Sequence, residues 1–249
     1  MKIVAVIPAR YKSSRFPGKP LVDICGKPMI WWVYQEAKKV EEFSEVYVAT
    51  DDDRIFNACK SFGMQVIMTD ENHPTGTDRV AEVAQKIPAD LYVVIMGDEP
   101  MISSAEEKFL IMQAKNFPNA DAFMLIEELN NPVDVVNTTT IKLVLNDDGE
   151  LIFMSRMPIP YPKATLDFKY YKNVGCYALK KSALDFFIAN KPSCIERAEE
   201  IELLRLIEKH KLVKTFNIDT HPMSVDTPKD LERVKKFLTQ KMELEEGKF

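Results

Sequence analysis

Glycine is scarce in this chain, with 8 in 249 residues, so each place where one occurs is informative. The four cysteines, Cys25, Cys59, Cys176 and Cys194, lie far apart and form no C-x-x-C pair. That pattern reads as reduced structural thiols rather than a disulfide framework. The three histidines, His73, His210 and His221, show no metal-ligand spacing. No run of some 18 apolar residues is present, which excludes a spanning helix. The start, Met1-Lys2-Ile3-Val4-Ala5-Val6-Ile7-Pro8, is broken too early for a secretory signal. The expected compartment is therefore the cytoplasm. A positive excess is also lacking: 33 Lys and Arg stand against 38 Asp and Glu, a net charge of -5. Broad binding to nucleic acid or to a membrane surface would need a basic face.

What is present is an apolar fraction of 46%, too high for a chain that stays disordered. Short apolar runs alternate with helical periodicity in the first half. Ile3 to Ala9, Val46 to Ala49, Val66 to Met68 and Leu91 to Met96 read as strands. Pro28 to Val40, Arg54 to Phe62, Asp78 to Lys86 and Ala105 to Lys115 read as helices, with Gly63 stopping the second. This alternation predicts an α/β fold with a mostly parallel central sheet covered by helices. Ligands of such sheets bind beyond the carboxyl ends of the strands. The second half predicts a smaller β-rich lobe. It holds a hairpin from Ile141 to Met154 turning at Asn146-Asp147-Asp148-Gly149, then a strand from Tyr170 to Leu179. A helix from Glu196 to His210, a strand from Val213 to Ile218 and a last helix from Pro228 to Lys241 follow. The expected organisation is one domain. Its first part covers about residues 1–125, its second lobe about 126–220, and its C-terminal helix about 228–241.

The segment Arg10-Tyr11-Lys12-Ser13-Ser14-Arg15-Phe16-Pro17-Gly18-Lys19-Pro20 follows the first strand directly. Four cations, two hydroxyls and a glycine in eleven residues suit a polyphosphate, which needs directional donors and charge neutralisation. The G-x-x-x-x-G-K-[ST] and G-x-G-x-x-G patterns are both absent, so this is neither of those phosphate loops. Asp98 ends the apolar run LYVVIM, and Asp226 stands far along the chain in Ser-Val-Asp-Thr-Pro. Mg²⁺ takes oxygen ligands and often only one or two carboxylates beside phosphates and water. Two distant aspartates at one sheet edge suit that sparse coordination.

The string from Val6 to Ile30, VIPARYKSSRFPGKPLVDICGKPMI, resembles the opening of the 3-deoxy-manno-octulosonate (Kdo) cytidylyltransferases. VATDDDRI from Val48, PTGTDRVAEV from Pro74, GDEPMI from Gly97 and VDTPKDLERV from Val225 extend the resemblance over nearly the whole chain. It implies a nucleotide-diphospho-sugar-transferase-like fold, CTP as donor, Mg²⁺ dependence, a homodimer and a place in surface-polysaccharide synthesis. It implies that Ala9, Arg10, Ser13, Ser14, Arg15, Lys19, Thr75, Thr77, Arg79 and Gly97 hold the nucleotide. Arg10, Lys19 and Asp98 would be catalytic, and Asp98 with Asp226 would hold the metal. The acceptor, a small anionic sugar, would meet Met96, Arg156, Asn173, Tyr177, Glu199, Glu202 and Leu203. The spacing of Glu196, Glu199 and Glu202 places all three on one helix face.

The chain departs from the family pattern on that acceptor side. Met96 stands for a Gln before Gly-Asp-Glu-Pro, Asn173 for the His of His-x-Gly-x-Tyr, and Leu203 for a second Gln. Each loss leaves an acceptor hydroxyl without its partner, at about 1–3 kcal/mol. The departures point to the same donor chemistry with a modified octulosonate, another acidic sugar, or a phosphate- or phosphonate-bearing acceptor. Two rivals are a sugar 1-phosphate nucleotidyltransferase using another base and a nucleotide-binding module without catalysis.

Overall fold

The computed structural model describes residues 1–12, 16–165 and 167–246. The expected nucleotide contacts Ser13, Ser14 and Arg15 lie outside the described residues. In chain order the strands are β1 (Ile3–Ala9), β2 (Asp23–Ile24), β3 (Lys27–Pro28), β4 (Glu45–Thr50), β5 (Val66–Met68) and β6 (Leu91–Ile95). They continue with β7 (Ala122–Glu128), β8 (Lys142–Leu145), β9 (Leu151–Ser155), β10 (Tyr171–Lys180) and β11 (Val213–Asn217). The helices are α1 (Met29–Lys38), α2 (Asp53–Ser61), α3 (Gly76–Lys86), α4 (Ser104–Asn116) and α5 (Pro132–Val136). Then come α6 (Lys181–Ala189), α7 (Cys194–Glu199), α8 (Leu204–Ile207) and α9 (Pro228–Glu246).

One sheet runs in the order β11-β7-β10-β6-β1-β4-β5, with β8 and β9 continuing beside β10. Pairing is parallel for β6-β1-β4-β5 and for β11-β7; only β10 and the β8-β9 hairpin run against their neighbours. The mostly parallel sheet is as expected, and both its faces are covered. All seven residues of β1 and all five of β6 are buried, which is why their sequences run apolar without alternation. One core packs α1, α2 and α4 against the sheet through Val33, Ile55 and Leu110. The other packs α3, α6 and α8 on the opposite face through Val80, Leu184 and Leu204. A third cluster docks α9 on the β2-β3 ribbon through Val234 and Ile24.

The segment expected as a helix from Glu196 to His210 is broken. The α7 helix ends at Glu199 and Glu200 takes a left-handed φ of 54°. Chain direction resumes as the short α8 at Leu204. A left-handed residue cannot continue a right-handed helix. Glu202 is therefore set off from Glu196 and Glu199, which remain three apart on α7. Each goes to a different partner: Glu196 to Arg205, Glu199 to Ser155 and Arg156, and Glu202 to Tyr177 and Thr77.

Candidate active site

Strands β1 and β6 are adjacent and parallel, with Ile3 opposite Leu91 and Val6 opposite Val94. Their following loops must leave the same sheet edge. Gly97 makes close approach possible there: a Cβ on it would stand 3.0 Å from the Pro8 carbonyl oxygen and 3.2 Å from Ile30 Cδ1. The loop after β6 thus lies directly on the end of β1. Asp226 joins it from the far end of the chain through a backbone bond, Val225 N–H to the Asp98 carbonyl at 2.9 Å. Val225 is itself fully buried against the C-terminal helix.

The Lys19 ammonium lies between the two acids, 2.6 Å from Asp98 Oδ2 and 3.3 Å from Asp226 Oδ1. It reaches them from a single 3₁₀ turn, Lys19–Leu21. Two carboxylates separated by over 120 residues thus converge on one cation. Among the described residues, no group of three or more His, Cys, Asp or Glu is placed to hold a metal. A pair of partly exposed carboxylates is nevertheless a fitting oxygen donor set for a hard dication that also takes phosphate and water. A cleft of about 360 Å³ opens beside them, lined by Ala9, Arg10, Lys12, Lys19, Gly97 and Asp98. Arg10 is anchored across it, Nη2 donating to the Pro74 carbonyl at 3.0 Å. A pocket of about 260 Å³ on the other side brings in Glu99, Thr140, Lys172 and Ser224.

Of these, Glu99 and Lys172 were not singled out from the sequence. Glu99 packs on Gly175, where a Cβ would come within 2.4 Å of Glu99 Cγ. Burial raises the Glu99 pKa well above the usual carboxylate range, and neighbouring Asp98 adds to this. Lys172 is ion-paired with Glu127. The acidic pair after glycine and the lysine before Asn173 were the available signals.

A cavity of about 770 Å³ adjoins the cleft, and Gly76 and Met96 line both. Of the residues expected to meet the acceptor, Met96, Asn173, Tyr177, Glu202 and Leu203 line it. The β10 strand bends there: its pairing with β7 shifts register between Asn173 and Tyr177. The Tyr177 hydroxyl sits 3.0 Å from Thr77 Oγ1 and donates to Glu202 Oε1 at 3.1 Å. Burial and then Glu202 push its pKa well up, so it stays a neutral donor.

Four residues expected as contacts lie outside the linings of these cavities. Arg79 is fully buried and cannot touch a ligand in the cleft. Its guanidinium is held by Asp51 at 3.0 Å and by Thr69. Burial lowers its pKa, and Asp51 works against that. Thr77 is also fully buried. It faces Tyr177 through its hydroxyl and Glu202 through its N–H, at 3.0 Å to Oε2. Glu199 is turned away from the cavity, accepting from Ser155 Oγ at 2.6 Å and Arg156 N–H at 3.0 Å. The Arg156 guanidinium donates to the carbonyls of Glu199, Glu200 and Thr138, at 2.7, 3.4 and 3.3 Å. It ties the end of α7 to the lobe, which leaves it a poor anion receptor. Thr75 remains at the rim, as the N-cap of α3, accepting from Asp78 N–H at 3.1 Å.

Comparison with known proteins places this arrangement. The cytidylyltransferase family model matches residues 4–248. The 3-deoxy-manno-octulosonate cytidylyltransferase of Escherichia coli is 40% identical over 97% of this chain and 98% of its own length. That of Christiangramia forsetii is 38% identical, over 96% and 97%. A solved structure of CMP:2-keto-3-deoxy-manno-octonic acid synthetase complexed with CTP superposes with a TM-score of 0.91 at 40% identity. The match covers 97% of this chain and all of that one. A 4-diphosphocytidyl-2C-methyl-D-erythritol synthase from Anaerococcus prevotii shares the fold, with a TM-score of 0.63 at 14% identity, over 96% of this chain and 98% of its own. The chain belongs to the cytidylyltransferase family, among the 3-deoxy-manno-octulosonate cytidylyltransferases, and is a nucleotidyltransferase.

Proposed function

We propose that this protein transfers CMP from CTP to an acidic sugar, Kdo or a related 3-deoxy-ulosonate, and releases pyrophosphate, working as a homodimer with Mg²⁺. The observation that carries the reading is the convergence of Lys19, Asp98 and Asp226 at a basic cleft that adjoins a large cavity. The relatives' activity, named for CTP and the octulosonate, supports the same assignment here.

Arg10, Lys12 and Lys19 meet the triphosphate in the cleft after β1, and their charges offset its own. Asp98 and Asp226 would hold Mg²⁺, which supplies further neutralisation of phosphate charge when bound. Lys19 then exchanges carboxylate partners for phosphate oxygens. The acceptor lies in the adjoining cavity, with Gly76 and Met96 at the boundary between the two substrates. Its anomeric hydroxyl oxygen bonds to the α-phosphorus. The bond from that phosphorus to the bridging oxygen breaks, pyrophosphate leaves with the electron pair, and the hydroxyl proton passes to solvent. Catalysis here is positioning plus electrostatic stabilisation of an in-line displacement.

The test is pyrophosphate release across CTP, UTP, GTP and ATP with Kdo and with sugar 1-phosphates. Turnover should require CTP, a ulosonate and Mg²⁺, stop with chelator and return when Mg²⁺ is restored. Preference for UTP or GTP with a sugar 1-phosphate would establish the first rival. Tight CTP binding without turnover of any acceptor would establish the second.

A further inference from the structure

The 770 Å³ cavity beside the nucleotide cleft has an unusual wall for a polyhydroxylated acceptor. Met96, Met124, Ile141, Met154, Ile201 and Leu203 line it. They come from five separate parts of the chain, so the apolar lining is a property of the assembled site rather than of one helix face. Several polar groups at the wall are already bonded within the fold, and Arg197 donates to the Pro192 carbonyl, while the Asn173 and Glu200 side chains have no hydrogen bond among the described residues. Tyr177 and Glu202 bond each other and Thr77. Glu196 is taken by Arg205 at 2.5 and 2.8 Å and by Ser193 N–H at 2.9 Å. Thr75 is bonded to Asp78. A sugar hydroxyl placed against the methionines would lose water and gain no partner, which is unfavourable. Methionine, by contrast, is flexible and polarizable and moulds itself to apolar groups.

We infer that the natural acceptor is a 3-deoxy-ulosonate whose end remote from the attacking hydroxyl carries an apolar cap, a methyl or an acylamido group, and that Met96 and Leu203 select for it. The inference rests on the cytidylyl-transfer reading above and narrows its acceptor. Asn173 lines the same cavity and makes no side-chain hydrogen bond among the described residues, which places it to meet the amide of an acylated cap.

The experiment measures kcat/KM for three acceptors at saturating CTP: Kdo, its 8-deoxy analogue ending in methyl, and its 8-acetamido-8-deoxy analogue. At least one capped acceptor should exceed Kdo by about tenfold or more, the scale set by one group in an apolar pocket. In Leu203→Gln, and in Met96→Gln with it, the ratio of capped to hydroxylated acceptor should fall by about tenfold. A folding fault would lower both rates together and leave that ratio alone. Equal or better turnover of Kdo, or an unchanged ratio in both variants, overturns the inference while cytidylyl transfer stands. Failure of all three acceptors to consume CTP overturns the transfer reading and this inference with it.

Discussion

At the scale of single residues, the charges that matter are those whose surroundings fix their state. Asp98 sits between Lys19 and the backbone bond from Val225. On the proposed mechanism this carboxylate would help hold the metal ion. Asp98→Asn keeps the side-chain shape and should keep the fold. It should lose about 2–4 kcal/mol of transition-state stabilisation, the range measured for one lost electrostatic donor. That is a fall of about 30-fold to 10³-fold in kcat, with thermal melting unchanged. A variant with normal turnover would remove Asp98 from the metal site. Glu107 has the opposite character. It is fully buried near the start of α4, and neither carboxyl oxygen has a hydrogen-bond partner. Burial, with Glu36 and Glu106 nearby, pushes its pKa to about 9. An unfolded glutamate ionises near 4.3. Between those values the folded state holds a proton that the unfolded state releases, so stability falls as pH rises through the window. Glu107→Gln removes that titration. It should raise Tm progressively from pH 5 to pH 9, by an amount corresponding to roughly 1–3 kcal/mol at the upper end. Below pH 4 it should change little. Melting curves across pH check this; a Tm difference that does not vary with pH would refute it.

The elements show how much of this was legible beforehand and where legibility stopped. Uninterrupted apolar runs such as LYVVIM marked β1, β4 and β6 because both sheet faces are covered. Loops after those runs marked the ligand edge. The Lys19, Asp98 and Asp226 cluster could be read because topology and resemblance agreed on it. The helix from Glu196 to His210 could not be read correctly. Its acid spacing fits a helix, but the break at Glu200 is set by tertiary partners. Arg205 is the main one. It is 2% exposed, forks onto Glu196 from α8 to α7, and reaches Asp78 Oδ1 of α3 at 2.9 Å. Burial works against its charge, yet the bonds to Glu196 and Asp78 outweigh it and raise its pKa. Arg79 was misplaced for a similar reason: the motif gave its residue type but not that it points inward to Asp51. Arg205→Met strips a buried cation from two acids. The uncompensated charge should destabilise the protein by about 3–5 kcal/mol and loosen the cavity wall carried by α7 and the loop before α8. Denaturant titration measures the first effect. The second should appear as a rise in acceptor KM larger than any change for CTP. A loss below 1 kcal/mol would show that the network is dispensable.

For the whole molecule, the distribution of apolar side chains bears on assembly. Most large apolar residues lie in the three cores, but the stretch from 133 to 168 exposes Val133, Val136, Ile152, Met157, Tyr161 and Phe168, with Tyr161 84% exposed. This stretch lies in the lobe that also supplies Ile141 and Met154 to the acceptor cavity. A stable interface buries about 800 Å² per partner and centres on aromatic and aliphatic anchors. In a homodimer the same lobe would meet its own copy across a twofold axis. Exposed apolar groups at β9 and the following loop offer such anchors, and their cost to a monomer in water gives the association its driving force. The protein should sediment at twice the monomer mass at micromolar concentration, with a Tm that rises with protein concentration. Ile152→Arg combined with Tyr161→Arg should shift sedimentation to the monomer without unfolding the sheet, because neither side chain belongs to a core. Since the lobe also walls the cavity, the monomeric variant should show a weaker acceptor KM while CTP binding, proposed for the β1 and β6 loops, stays as it was. A wild-type protein that sediments as a monomer at these concentrations, or a double variant that remains dimeric, would place the interface elsewhere or remove it.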